Sequence, residues 1–226
     1  MIQLLFKDLT DAEHKVLEEF QQEVDKQSTF EEKVAVARKL WDNKTSANAK
    51  KVAFEGIKDK LVKMCVSVEI CNYCENNEAT DIEHLYPKSH FPERAFKWEN
   101  YILACKICNT TYKNDDFAVF NPKKSTNRHD LIGAVQGTPT VEPPTDDGLL
   151  IDIRNENPLD YLWLDLKTFL FVEIPLDINT REYHKANYTL WLLKLNERDA
   201  LSKAREQAAK HYSSCLEMYV NVCKCM

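Results

Sequence analysis

Several features are missing from this 226-residue chain, and each absence narrows what it can be. No apolar run approaches the roughly 18–20 residues needed to span a bilayer, so no membrane is expected among its partners. The opening Met1-Ile2-Gln3-Leu4-Leu5-Phe6-Lys7-Asp8 has no basic start and only a very short apolar run, unlike a secretory signal. A cytoplasmic protein is expected, in which eight cysteines serve as thiols and metal ligands rather than disulfides. There are no internal repeats and no low-complexity tract. No Gly-x-x-x-x-Gly-Lys occurs, so the chain cannot itself supply a P-loop ATPase. Positive charge is not in surplus: the formal net charge is −6, which does not advertise a nucleic-acid binder.

What is present is a globular composition, 44% hydrophobic and 29% charged, in a chain long enough to bury a core. One domain, or one domain with appendages, is expected. The charge is unevenly spread. From His84 to Arg128 there are eight basic and four acidic residues, leaving −10 for the remainder. A local basic patch on an acidic body can meet a phosphate backbone, although an ordinary solvated surface has the same composition.

Residues 10–65 read as helices. Thr10-Asp11-Ala12-Glu13 and Ser28-Thr29-Phe30-Glu31 both match the capping box. Val34, Ala37, Leu40 and Trp41 then fall on one helical face. A third helix is predicted over 47–64, with Gly56 as a weak point inside it. His14 reads as a surface histidine, and Cys65 as a small buried hydrophobe.

The stretch from 71 to 113 carries the chemistry. Two Cys-x-x-Cys pairs, Cys71/Cys74 and Cys105/Cys108, can supply four thiolates to one tetrahedral structural Zn²⁺. Between and after them stand Glu83-His84-x-x-Pro87, Asn100, and Asn109-x-x-x-Lys113. This order resembles the HNH, or His-Me finger, endonucleases: an acidic residue before a His, a central Asn, and a His or Asn after the second Cys pair. The present chain is an H-N-N variant of that pattern.

The resemblance implies a ββα-metal core and a site in three parts. His84 is the expected general base. Glu83 and Asn109 are the expected ligands of a catalytic Mg²⁺ or Mn²⁺. Asn100 is expected to brace the loop that orients the histidine. Lys88, Lys106 and Lys113 are candidate nucleic-acid contacts, and DNA is favoured over RNA. The expected products carry a 5′-phosphate and a 3′-hydroxyl. Asp81 reads as a solvated strand residue or an accessory carboxylate. His90 reads as a surface residue or a DNA contact. Two alternatives stand beside this reading: an RNA-cleaving relative, and a zinc-ribbon-like module that binds nucleic acid or protein without cutting.

Strands are expected at 66–74, 81–85 and 101–104, with a loop at 86–98 and a helix over 106–112. Residues 121–158 hold three of four glycines and five of eight prolines, and read as a long loop with strand pieces near 131–135 and 149–153. Residues 159–174 read as a hairpin. Thr180 is expected to cap a helix reaching about Leu195, and Asn196 another toward Val222. Cys223-Lys224-Cys225 reads as a frayed tail, and no role is assigned to Cys215.

The expected class is therefore α+β, mainly helical, with a ββα-metal (HNH) core and a Cys₄ zinc site flanked by helices. The segments are 1–65 (helical), 66–125 (nuclease core), 126–158 (linker) and 159–226 (strand and helix). Leu193-Lys194-Leu195-Asn196, with Arg205 downstream, is similar to the C-terminal segment of bacterial HNH proteins of Septu-type anti-phage systems and some retrons. That looser likeness implies an ABC-type ATPase partner.

Overall fold

The computed structural model describes residues 1–65, 68–131 and 141–224, with 125–131 as backbone only. Three helices lead: α1 (Asp11–Asp25), α2 (Phe30–Asp42) and α3 (Asn48–Met64). Then comes an antiparallel pair, β1 (Asp81–His84) with β2 (Tyr101–Ala104), followed by a helical segment at Ile107–Lys113. Two further hairpins follow, β3 (Phe117–Asn121) with β4 (Lys124–Leu131) and β5 (Leu162–Leu164) with β6 (Phe171–Glu173). Helices α4 (Arg181–Leu193) and α5 (Asp199–Lys224) end the chain. Among the described residues no helix is long and apolar enough to cross a membrane.

The helix starts follow from side-chain chemistry. Thr10 accepts from Glu13 N, and the Glu13 carboxylate accepts from Thr10 N at 2.7 Å, closing the first capping box. The second box forms one residue later than expected, between Thr29 and Glu32. Ser28-Thr29-Phe30-Glu31-Glu32 contains both frames, and the unchosen Ser28 N–H donates to the same Glu32 carboxylate. Gly56 has a tertiary reason to be glycine. A Cβ there would fall 2.2 Å from Glu13 Oε1, so any larger residue in α3 would have to displace the carboxylate that closes the α1 cap.

Other expectations are revised. The described part of 66–74 forms no strand, only a single bridge from Ile70 to Glu78, because the chain turns sharply into Cys71 and Cys74. The helix expected over 106–112 is a π-helix, closed by Asn114 N–H on Asn109 O at 2.6 Å. Its two buried residues, Cys108 and Lys113, are five apart. A π-turn stacks such residues on one side, whereas an α-helix would point them to different faces.

Strand β4 lies at the start of the stretch read as a long loop, and its partner β3 just ahead of it, where no element was read. Of the two strand pieces expected in that loop, the first falls largely outside the described residues. Leu149, Leu150, Ile151 and Ile153 are buried without forming a strand, and Leu149 N–H bonds Ala118 O of β3 at 2.9 Å. Asn196 does not cap α5, which begins at Asp199. Its amide instead bonds both backbone groups of Phe171 in β6. The β5–β6 hairpin and the Thr180 cap of α4 are as expected.

The core joins α1 and α3 to the loop between β1 and β2. Phe20, Phe54 and Phe96 pack together, with the Phe20 and Phe96 ring centroids 5.0 Å apart. One buried polar residue of α1 fixes that loop. Gln21 donates to Pro92 O at 3.2 Å and accepts from Phe96 N at 3.0 Å. Gln21→Ala leaves the buried Phe96 N–H unsatisfied and takes one of two donors from Pro92 O, which keeps the Ala95 N–H, so it is expected to cost about 1–3 kcal/mol. Urea unfolding should show a lower midpoint at unchanged m-value. An unchanged midpoint would mean that the loop is held without Gln21.

Candidate active site and metal centre

The β1–β2 register sets His84 opposite Tyr101 and Glu83 opposite Ile102. His84 is almost fully buried, and its Nε2 lies 2.9 Å from Ala95 O. A carbonyl oxygen only accepts, so Nε2 carries the proton and Nδ1 keeps its lone pair. Burial, first, and then the charges of Lys88, Lys113 and Lys44 hold the imidazole well below its usual range, against the opposing bond to Ala95. The ring is therefore neutral at pH 7. Trp41 of α2 packs edge-on against it at 4.2 Å between centroids, with Tyr101 on another side at 5.2 Å.

Asn100 braces the adjacent loop through three bonds. Its Oδ1 accepts from Tyr86 N at 2.8 Å, and its Nδ2 donates to Tyr86 O and Arg94 O at 3.0 and 2.9 Å. Glu83 is buried against Lys113, whose Nζ stands 2.6 Å from Glu83 Oε1 and 2.8 Å from His84 O. Burial pushes the Glu83 carboxyl up, and the Lys113 charge opposes it. Asn109 lies on the π-helix and donates to Asp81 Oδ2 at 3.0 Å. Glu83, His84, Lys88, Asn109 and Lys113 line one cavity of about 220 Å³.

Placement departs from expectation at several points. Lys113, expected on a phosphate, is wholly buried between Glu83 and the backbone of β1. Lys88 is half-buried at the cavity, and Lys106 is exposed outside it. His90 is buried rather than on the surface, and its Nε2 has no hydrogen-bond partner among the described residues. Burial is also what lowers its pKa. Asp81 is bound to Asn109 rather than simply solvated. Cys65 is half-buried, accepting from Asn72 Nδ2 at 3.4 Å. Cys215 and Cys223 are exposed, and Cys225 lies outside the described residues. Trp41 was legible only as one residue of an apolar face; nothing in its spacing announces contact with His84.

The four cysteines converge as expected. The Sγ atoms of Cys71, Cys74, Cys105 and Cys108 lie within 4.8 Å of one another, and those of Cys74 and Cys105 are 3.9 Å apart. Tetrahedral Zn–S bonds of about 2.3 Å require sulfurs about 3.8 Å apart, so the cluster fits zinc. Donors surround it. Asn77 Nδ2 reaches Cys74 and Cys105 Sγ at 3.8 and 3.7 Å, and Arg198 Nη1 reaches Cys108 Sγ at 3.2 Å. Such donors suit sulfur in its anionic form. Four cysteine ligands would leave a bound zinc no open position, as in structural sites.

One Zn²⁺ per chain is expected from elemental analysis of anaerobically purified protein, and Cys71→Ser or Cys108→Ser should lose both the metal and the fold. A folded chain carrying less than about half an equivalent would overturn this assignment.

No curated protein matches the chain. Residues 71–115, which span the cysteine cluster and the His84 cavity, match the family model for HNH endonuclease. That match marks an HNH endonuclease domain over this stretch, and the activity of that family, hydrolysis of nucleic acid, is what the match suggests for the chain.

Proposed function

We propose that this chain is a metal-dependent endonuclease that hydrolyses phosphodiester bonds in DNA, with His84 as general base in a ββα-metal arrangement. The observation that carries the reading is the bond from His84 Nε2 to Ala95 O. A neutral imidazole committed through Nε2 offers Nδ1 as a proton acceptor. In the reaction, Nδ1 takes a proton from water as the water oxygen attacks phosphorus. The bond from phosphorus to the 3′ oxygen breaks, and the leaving oxygen takes a proton from solvent.

Glu83 and Asn109 would hold one Mg²⁺ or Mn²⁺, which supplies Lewis-acid stabilisation of charge on the phosphate and the leaving oxygen. The donor set supports this, because a carboxylate and an amide carbonyl at one cavity suit a hard cation. Lys113 engages Oε1 of Glu83, and Oε2 is the second donor oxygen of the same group. Asn100 holds the loop, and Lys113 positions Glu83 and the His84 backbone. Lys88 contacts phosphate at the cavity, and Lys106 a phosphate further along.

A protein partner is part of the reading. From Lys210 to Lys224 every residue of α5 is exposed, including Tyr212, Leu216, Tyr219 and Val222. An isolated helix of that length is marginal in water without a surface to pack on. The partner suggested by the Septu-type likeness is an ABC-type ATPase, which would make this chain the nuclease subunit of an anti-phage system in the cytoplasm.

His84→Ala is expected to reduce cleavage of plasmid DNA by at least roughly 10²–10⁴-fold while zinc content and fold are kept. Glu83→Ala and Asn109→Ala should lose activity that excess Mg²⁺ or Mn²⁺ partly restores, and metal should not rescue His84→Ala. Parallel incubation with total RNA distinguishes the substrate. If His84→Ala cuts as fast as the parent, the mechanism is wrong and a zinc-scaffold binding module becomes the better reading.

A further inference from the structure

A second cavity, of about 460 Å³, adjoins the His84 cavity and has Asn109 in common with it. One side is built from α2, α3 and the turn between them, and the other from β1 and the π-helix. None of its helical wall falls within residues 71–115, the HNH stretch. Three lysines line that wall: Lys44 in the turn, and Lys51 and Lys58 two turns apart on α3.

Lys44 is the informative one. Its Nζ lies 4.2 Å from the Trp41 ring centroid, and Lys88 Nζ lies 5.8 Å from the same centroid. The Trp41 ring in turn touches His84. Two ammonium groups are thus gathered around one aromatic ring beside the histidine. Among the described residues, no ion pair joins either of them to a carboxylate. Burial and the charge of Lys88 lower the Lys44 pKa, against the opposing charges of Asp42 and Asp81, and Lys44 Nζ also donates to Trp41 O at 3.3 Å. A phosphate at the two ammonium groups would offset the repulsion between them.

We propose that Lys44 and Lys88, with Trp41 between them, clamp a backbone phosphate next to the scissile one, and that the α2–α3 groove carries the nucleic-acid strand onward past Lys51 and Lys58. The proposal rests on the nuclease reading of the same site. It makes the N-terminal helices part of the substrate surface, not merely a cover for the core. Lys51 and Lys58 are only loosely engaged, with Glu55 at 3.9 Å and Glu69 at 2.9 Å, and all four side chains are more than a third exposed. A phosphate can displace such surface pairs at little cost. Glu55 also lines the groove and opposes the strand.

The test is binding of a short fluorescein-labelled DNA duplex, and of an RNA hairpin, to full-length His84→Ala protein in Mg²⁺ across a salt series. Adding Lys44→Gln should weaken binding several-fold and lower the slope of log K against log salt by about one, the signature of one lost phosphate contact. Lys51→Gln should act in the same direction. Glu55→Gln, an exposed change with no reason to unfold the protein, should tighten binding. Losses seen on RNA alone would support the groove and reassign the substrate. If His84→Ala protein binds the probes and none of the three substitutions changes affinity or slope, the groove is wrong and the nuclease reading stands. If it binds neither probe at low salt, both fall.

Discussion

The carbonyl of Ala95 is the constraint on which the site depends. It accepts from His84 Nε2 at 2.9 Å and from Tyr101 Oη at 2.8 Å, so it fixes a tautomer and a ring position together. A two-stranded pair of four residues each cannot hold a carbonyl in place, since isolated hairpins are marginal in water. The flanking residues do it. Gln21 of α1 bonds Pro92 O and Phe96 N on either side of Ala95, and Asn100 takes Arg94 O from below. The orientation of one imidazole is therefore set by side chains about sixty and fifteen residues away in sequence, and the N-terminal helices help shape its surroundings through α1 as well as through Trp41.

The Glu83–Lys113 pair adds a second constraint of a different kind. Both side chains are almost wholly buried, so the pair contributes little net stability, but losing one partner strands a charge and costs about 3–5 kcal/mol. The pair thereby fixes geometry. Lys113 Nζ also bonds His84 O, tying the end of the π-helix to the end of β1. That tie requires Lys113 to point inward five residues after Cys108, which is also inward, and this spacing selects the wider helix.

What could be read from the sequence was local. The first capping box, the ends of β1 and β2, the β5–β6 hairpin and the convergence of four cysteines depend on spacings of a few residues or on ligand chemistry that permits few partners. What could not be read depends on contacts across the chain. Lys113 looks like any surface lysine until Glu83 is set beside it. His90 and Asn196 are polar residues whose burial or bonding is decided by elements far away. Residues 121–131 fall in the stretch read as a glycine- and proline-rich loop, yet 124–131 form β4. The partner strand β3 lies just ahead of that stretch, where Phe117, Ala118, Val119 and Phe120 are all buried and no element was read.

The C-terminal segment is bound to the same centre by electrostatics. Four thiolates around Zn²⁺ carry a net charge of about −2, which a buried site must offset with donors and nearby cations. Arg198, just ahead of α5, donates to Cys108 Sγ and stacks over Tyr112 of the π-helix. Arg205, about two helical turns further on, reaches back to Leu195 O and Phe169 O, locking the turn that presents Arg198. The knuckle thus recruits the end of the chain as α1 and α2 recruit the loop around Ala95. The HNH-like stretch of 71–115 is too small to close its own core, so its geometry is borrowed from both flanks. Arg198, at the entrance to α5, touches one of the four cysteines, while the outer turns of the helix from Lys210 to Lys224 are exposed.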